Sequence, residues 1–415
     1  MVALGRALVA AVLGAGLVAC VDVGDGNATM TVSPAVAPMD QPVTVRMTSL
    51  GAGRVTTVTA SATDATGTRW SARADYRAGR DGTLDLGAVP MSGAYAGSNP
   101  MGLFLFMSPD RPARFGFEVP IAASYDVTLE AQVGGKTVAT ATATRQLPSG
   151  LGVTKKDLTV EADGIFGTLF RPKDTSMRKP ALLVFGGSEG GLVLPVLLKA
   201  AMLAAHGYPA LALAYFDAPG LPERLDRIPL EYFRKALTIL RDQPGVDPAH
   251  LLVTGGSFGG EASLLVAATY PDLVNGVIAE VPNSYVDHGI GTTNSAWTLN
   301  GRDLPHGIFG MPASDVDPRA YIPVARIRGP ILLACGMLDT AWPSCRNVDD
   351  VTARLPGRAD VTVARYADSG HYVGVFRPYT PTTDAVLTSA GGSVAGTLAA
   401  NVDLHRKILA LLARQ

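Results

Sequence analysis

The segment Gly255-Gly256-Ser257-Phe258-Gly259 constrains this chain more than any other. It follows the apolar run Leu251-Leu252-Val253 and opens a helical pattern at Gly260. A serine between glycines two before and two after, on a strand-to-helix turn, is the sequence form of a nucleophile elbow. The glycines let neighbouring backbones approach where a Cβ would clash. The turn lifts the serine Oγ to the carboxyl edge of a sheet, and the helix N-terminus behind it favours developing negative charge. A purely structural Gly-rich turn would fit the same letters, so the decision rests on whether partners follow in the right order.

They do. After Pro148-Ser149-Gly150, apolar runs alternate with helical stretches. The runs are 181–185, 210–214, 251–253, 277–279, 331–334 and 361–364; helices are expected at Leu230 to Arg241 and Ala262 to Tyr270. Continuous β-runs separated by helices mean a mostly parallel sheet covered on both faces, here an α/β-hydrolase fold. Asp339 lies in the loop after one late strand and His371 in the loop after the next, giving the chain order serine, acid, histidine that this fold uses. His371 would take the Ser257 proton, and Asp339 would orient the imidazole. Asp349, Asp350 and Asp368 are rival acids, whereas His206, His250, His288, His306 and His405 lack the placement of His371. For an oxyanion hole, the Phe258 backbone N–H is one expected donor. The second is expected from Ser188 or Glu189 in Gly186-Gly187-Ser188-Glu189-Gly190-Gly191. That loop lacks the Gly-Lys-Ser/Thr ending and the spacing of a phosphate-binding loop. The Gly/Asn/Pro-rich stretch from Ser284 to Asp317 reads as a lid or pocket rim.

Residues 29–148 have a different texture. Short Thr/Val/Ala stretches alternate apolar and polar (Val43 to Met47, Val55 to Ala62, Tyr125 to Val133), and turn signals such as Asp81-Gly82 and Gly134-Gly135 separate them. That pattern predicts an immunoglobulin-like all-β sandwich before the hydrolase domain at 149–415. With 47% hydrophobic and 17% charged residues, 415 residues are enough for two cored domains. A net charge of −1 with no basic run makes nucleic acid a poor partner. No Cys-x-x-Cys spacing or His/Cys cluster marks a metal site, and nothing implies a cofactor.

The first 19 residues read as a signal peptide. Arg6 precedes an apolar run, Leu8 to Val18, that is too short to span a bilayer. Leu17-Val18-Ala19-Cys20 has the form of a lipoprotein cleavage box, so Cys20 is the expected lipidation site and residues 20–28 a tether. The chain is thus expected in a bacterial cell envelope, held to the membrane by its N-terminal lipid. Export leaves Cys335 and Cys345 as an even pair in an oxidising compartment, where a disulfide bracketing Asp339 is expected; two buried thiols are the alternative.

Several segments resemble the acyl-CoA thioesterase and bile acid-CoA:amino acid N-acyltransferase family. They are Ser92-Gly93-Ala94-Tyr95-Ala96-Gly97 with Pro100-Met101-Gly102-Leu103, Gly167 to Pro172, Leu221-Pro222 followed by Leu230-Glu231-Tyr232-Phe233, Asp339-Thr340-Ala341-Trp342-Pro343-Ser344, and Gly370-His371 with Pro378-Tyr379. The resemblance implies a two-domain enzyme that attacks a thioester carbonyl, forms an acyl-enzyme and hydrolyses it. Its acyltransferase members use cysteine where this chain has Ser257, so serine points to transfer to water rather than to an amine. Other readings are an envelope carboxylesterase, lipase or peptidase, an acyl-CoA:amino acid N-acyltransferase, and a ligand-binding lipoprotein without catalysis.

Overall fold

Alternation organises the N-terminal domain. In Val55–Thr63 and Arg69–Arg77 every second residue is buried, so Val58, Ala60, Ala62, Trp70, Ala72, Ala74 and Tyr76 face inward. These strands pair antiparallel in register from Val55↔Arg77 to Thr63↔Arg69. They continue through Ser124–Val133 and Lys136–Gln146 into a seven-stranded sheet. A three-stranded sheet built on Thr29–Ser33 and Thr44–Thr48 packs Met30, Val45 and Met47 into the same core. The computed structural model describes residues 28–113, 115–120, 122–308, 311 and 315–415. The signal peptide expected at 1–19, Cys20 and all but the last residue of the tether expected at 20–28 lie outside the described residues.

The second domain is built on an eight-stranded sheet. Its strands are β1 (Thr154–Leu158), β2 (Phe166–Arg171), β3 (Lys179–Phe185), β4 (Ala210–Ala214), β5 (Val246–Gly256), β6 (Val277–Glu280), β7 (Ile331–Gly336) and β8 (Val361–Tyr366), in the order β1-β2-β4-β3-β5-β6-β7-β8. β1 and β2 are antiparallel additions, and every pairing from β4 onward is parallel. β4, β6 and β7 are buried at every position, as strands covered on both faces must be. Helices α1 (Leu194–Ala205) and α5 (Val394–Leu412) cover one face, packing Leu203, Leu404 and Ile408 on Leu182, Ile278 and Leu332. Helices α2 (Leu230–Arg241), α3 (Phe258–Thr269) and α4 (Ser344–Ala353) cover the other, with Phe233, Leu264 and Val351 against Phe185, Val253 and Leu333.

Two expectations shift. The helix after the elbow starts at Phe258 rather than Ala262. Gly259 and Gly260 sit in its first turn because close neighbours, not helix propensity, dictate them: a Cβ on Gly259 would lie 2.3 Å from the Gly186 carbonyl oxygen. The described part of the Ser284–Asp317 excursion, expected as a lid or pocket rim, is packed into the domain. Its Asp287, Ser295 and Trp297 are fully buried, and Trp297–Leu299 pairs with Ile228–Pro229 and Arg302–Asp303.

The domains meet over a charged contact. Asp40 of the sandwich, 5% exposed, accepts hydrogen bonds on one carboxylate oxygen from His206 Nε2 (2.6 Å), at the end of α1, and His405 Nε2 (2.9 Å), on α5. Burial pushes the Asp40 pKa up, but the two histidines outweigh it and hold the carboxyl well below the ordinary range. Arg377 donates to the Phe117 carbonyl at 2.9 Å, and Tyr379, Leu387 and Leu398 of the second domain join the sandwich core. Asp40→Ala leaves both imidazoles without their acceptor. It should lower the free energy of unfolding by about 3 kcal/mol, the usual cost of removing one partner of a buried polar pair. Urea denaturation measures this; a loss below about 1 kcal/mol, the range of exposed pairs, would show that docking does not depend on this carboxylate.

Candidate active site

Ser257 sits between β5 and α3 at φ 59°, ψ −125°. A non-glycine residue there is strained and persists only where its surroundings fix it. Here they do. The Ser257 N–H donates to the Glu280 carbonyl (3.0 Å), and the Ser257 carbonyl accepts from the N–H groups of Gly260 (2.8 Å) and Glu261 (3.1 Å). A Cβ on Gly255 would lie 2.7 Å from the Gly259 oxygen, and one on Gly187 would lie 3.1 Å from the Ser257 Cβ. The turn therefore closes only with glycine on both sides of the serine and in the facing loop.

Asp339 follows β7 and His371 follows β8, so adjacent parallel strands deliver both to the same sheet edge as Ser257. His371 Nδ1 donates to Asp339 Oδ2 at 2.9 Å. The other Asp339 oxygen accepts the N–H groups of Ala341 (3.0 Å) and Trp342 (3.3 Å). The Asp339 side chain is 1% exposed and that of His371 12%. With its Nδ1 proton on Asp339, the imidazole presents Nε2 as a base. Of the rivals, Asp349 pairs with Arg365 and Asp350 accepts from Ser284 at 3.4 Å, and the carboxylate on His371 Nδ1 is that of Asp339 rather than Asp368. Cys335, in β7, and Cys345, in α4, form a disulfide with Cα atoms 5.0 Å apart, bracketing the Asp339 loop.

Trp342 joins these pieces, a role the sequence did not announce beyond its place in the Asp339 segment. Its indole N–H donates to the Val281 carbonyl at 2.9 Å. Its ring centroid lies 5.6 Å from Phe258, the residue after the serine, and 5.6 Å from His371. One plate thus spaces the elbow from the histidine loop.

In the glycine loop after β3, the Gly187 N–H is taken by the Glu189 carboxylate at 2.9 Å. The Tyr215 hydroxyl lies 3.0 Å and 2.8 Å from the Gly186 and Gly187 carbonyl oxygens. A trans peptide sets the next N–H opposite its carbonyl, so the Ser188 N–H points away from Tyr215. Phe258 is the first residue of α3, where N–H groups have no helical acceptor.

Glu261 was also missed, because a lone glutamate one turn into a helix reads as a solvent-facing residue. It is fully buried and accepts from Trp297 Nε1 (2.7 Å) and the Asp287 N–H (3.0 Å), fastening the insertion to the elbow helix. Burial and the nearby Asp287 push its pKa well up, and burial raises that of Asp287 to about 6.

Fold and site together define an α/β-hydrolase with a serine elbow and a histidine–aspartate pair on one sheet edge. Residues 40–159 match the family described as acyl-CoA thioester hydrolase/BAAT N-terminal region, and residues 228–413 match BAAT/acyl-CoA thioester hydrolase C terminal. The chain is 30% identical over 414 residues to acyl-coenzyme A thioesterase 6 of Mus musculus, covering 92% of this chain and 95% of that protein. It is 29% identical over 375 residues to acyl-coenzyme A thioesterase 1 of Homo sapiens, covering 85% and 87%. Among solved structures it is similar to a Pyrobaculum calidifontis esterase, with 18% identity, a TM-score of 0.41, and coverage of 62% of this chain and 86% of that one. The chain belongs to the acyl-CoA thioester hydrolase/BAAT family and is a hydrolase.

The Asp287 carboxyl sets a stability window. Its pKa is raised from 3.8 to about 6 in the folded protein, so its stabilising contribution is complete below pH 3.8 and is lost as the pH rises through 6. Asp287→Asn cannot ionise. Between pH 4 and 7 the melting temperature of the parent protein should fall relative to that of Asp287→Asn; a constant difference between the two would contradict this.

Proposed function

We propose that this protein hydrolyses acyl thioesters of the acyl-CoA type through an acyl-enzyme on Ser257. The observation that carries the reading is the Asp339–His371 hydrogen bond at the same sheet edge as the strained elbow. His371 Nε2 takes the Ser257 proton as Oγ attacks the thioester carbonyl, and Asp339 stabilises the imidazolium that forms. The backbone N–H groups of Phe258 and Ser188 receive the oxyanion; the orientation of the Gly187 carbonyl favours Ser188 over Glu189. Collapse expels the thiol, which takes the proton from His371. Water then repeats the sequence and releases the carboxylic acid. Serine as nucleophile, as against the cysteine of acyltransferase members, supports transfer to water.

The leader and Cys20 support a lipid-anchored protein of the cell envelope, and the Cys335–Cys345 bond fits an oxidising compartment. That placement favours a second substrate reading, an oxygen ester or a thioester other than acyl-CoA, handled by the same serine.

Ser257→Ala should lower kcat by about 10⁴-fold with the fold intact, since the serine, histidine and acid act as a unit. Assays of both proteins on a series of acyl-CoAs and on p-nitrophenyl esters of matched chain length test activity and class together. Near-normal turnover by Ser257→Ala removes the nucleophile assignment. A kcat/KM higher for the oxygen esters at every chain length replaces the thioesterase reading with the esterase one.

A further inference from the structure

The residue whose carbonyl holds the serine N–H carries a second, unused group. Glu280 ends β6, opposite Gly256 of β5 on one side and Ala334 of β7 on the other. It is 2% exposed. Its carboxylate forms an ion pair with Lys199 of α1, whose side chain is 19% exposed, and Thr254 Oγ1 donates to the same oxygen at 3.5 Å. The other carboxylate oxygen faces two backbones of the site. A Cβ on Gly256 would lie 3.7 Å from it, and a Cβ on Gly374, three residues after His371, would lie 2.4 Å from it. Gly374 has φ +84°, so the histidine loop takes a left-handed bend directly over this carboxylate. The next residue, Val281, is β-branched and held at φ 42°, a strained conformation. Its N–H donates to the Ala334 carbonyl (2.7 Å), and its carbonyl is the acceptor for the Trp342 indole.

We infer that Glu280, charged and paired with Lys199, is a positioning residue that sets the elbow and the histidine loop in register with one another. The inference rests on the proposed Ser257 chemistry. A buried ion pair is expensive, and its removal from one side leaves an uncompensated charge. Here the expense serves geometry: the carboxylate lies beside Gly256, before Ser257, and Gly374, after His371, and the Glu280 backbone carbonyl holds the serine amide. Burial raises the Glu280 pKa above the ordinary carboxylate value, against the pull of Lys199. Among the described residues, Tyr366 of β8 also lies within electrostatic reach, and its hydroxyl donates to Asp403 of α5 at 3.0 Å.

Removing Lys199 should therefore move the Glu280 ionisation to higher pH than in the parent protein and leave its charged form unpaired. In Lys199→Met, Glu280 is neutral at low pH and fits its place. As pH rises it becomes an unpaired buried charge and displaces the backbones it touches. The kcat–pH profile should change from a plateau at alkaline pH to a bell, with KM within about twofold. Lys199→Met/Glu280→Gln, with no charge to unpair, should recover the plateau. Glu280→Gln alone should lower kcat by about tenfold at unchanged KM, a loss of the size that small misplacements cause. Fluorophosphonate labelling of Ser257 and melting temperature are recorded for each variant at each pH. If Lys199→Met fails to fold, the Glu280→Gln kcat decides. An unchanged kcat in Glu280→Gln, a plateau retained in Lys199→Met, or a bell retained in the double variant overturns the inference. Failure of the parent protein to label at Ser257 overturns the underlying reading instead.

Discussion

The backbone of Ser257 at φ 59° is the constraint on which the rest of the site depends. An L-residue does not rest there unaided. The strain is held by three hydrogen bonds at 2.8–3.1 Å and by glycines at 255, 259, 260 and 187, each placed where a side chain would meet backbone or the serine itself. Those contacts in turn demand that β3, β5 and β6 lie side by side, since the facing loop follows β3 and the serine amide is held from the end of β6. The order of the central strands and the shape of the turn are thus one requirement, expressed at two scales.

Around that turn the acid and base are held by packing rather than by length of side chain. Trp342 is fixed by its hydrogen bond to Val281, stands against Phe258 and His371, and belongs to the short loop that also carries Asp339. The Cys335–Cys345 bond ties the start of that loop to the helix that follows it. The sandwich enters through α1 and α5, the two helices whose His206 and His405 share Asp40. Lys199, the partner of Glu280, is on α1 as well, so the helix that docks the N-terminal domain also reaches beneath the elbow.

Where local pattern controls the structure, the sequence was readable. The runs at 181–185, 210–214 and 331–334 fall within β3, β4 and β7, and α2 spans the residues expected of it, because full burial and a 3.6-residue period leave plain marks. Ser257, Asp339 and His371 come together at one edge because each follows a strand of a parallel sheet. Less was readable where a small or charged residue faces inward. Lys136–Gln146 buries Ala139, Ala141, Ala143 and Arg145, a strand of alanines and one arginine that carries no hydrophobic signature. Glu261, Glu280 and Asp40 look like surface acids until partners from distant positions, Trp297, Lys199 and the two histidines, close around them. Such contacts have no period and no local spacing. The excursion from Ser284 reads as a lid or pocket rim for the same reason: its composition is that of a loop, and the contacts that pin it, such as Trp297 on Glu261, come from distant positions.

The proposed chemistry passes through a covalent acyl intermediate on Ser257. It is tested most directly by mixing the protein with a long-chain acyl-CoA, quenching in acid within the first turnovers, and mapping the mass of the adduct by peptide. One acyl group, added with loss of the thiol, is expected on the peptide containing Ser257, and none on the same peptide of Ser257→Ala. An acyl group on another residue, or turnover with no adduct at any quench time while Ser257→Ala retains activity, would contradict it.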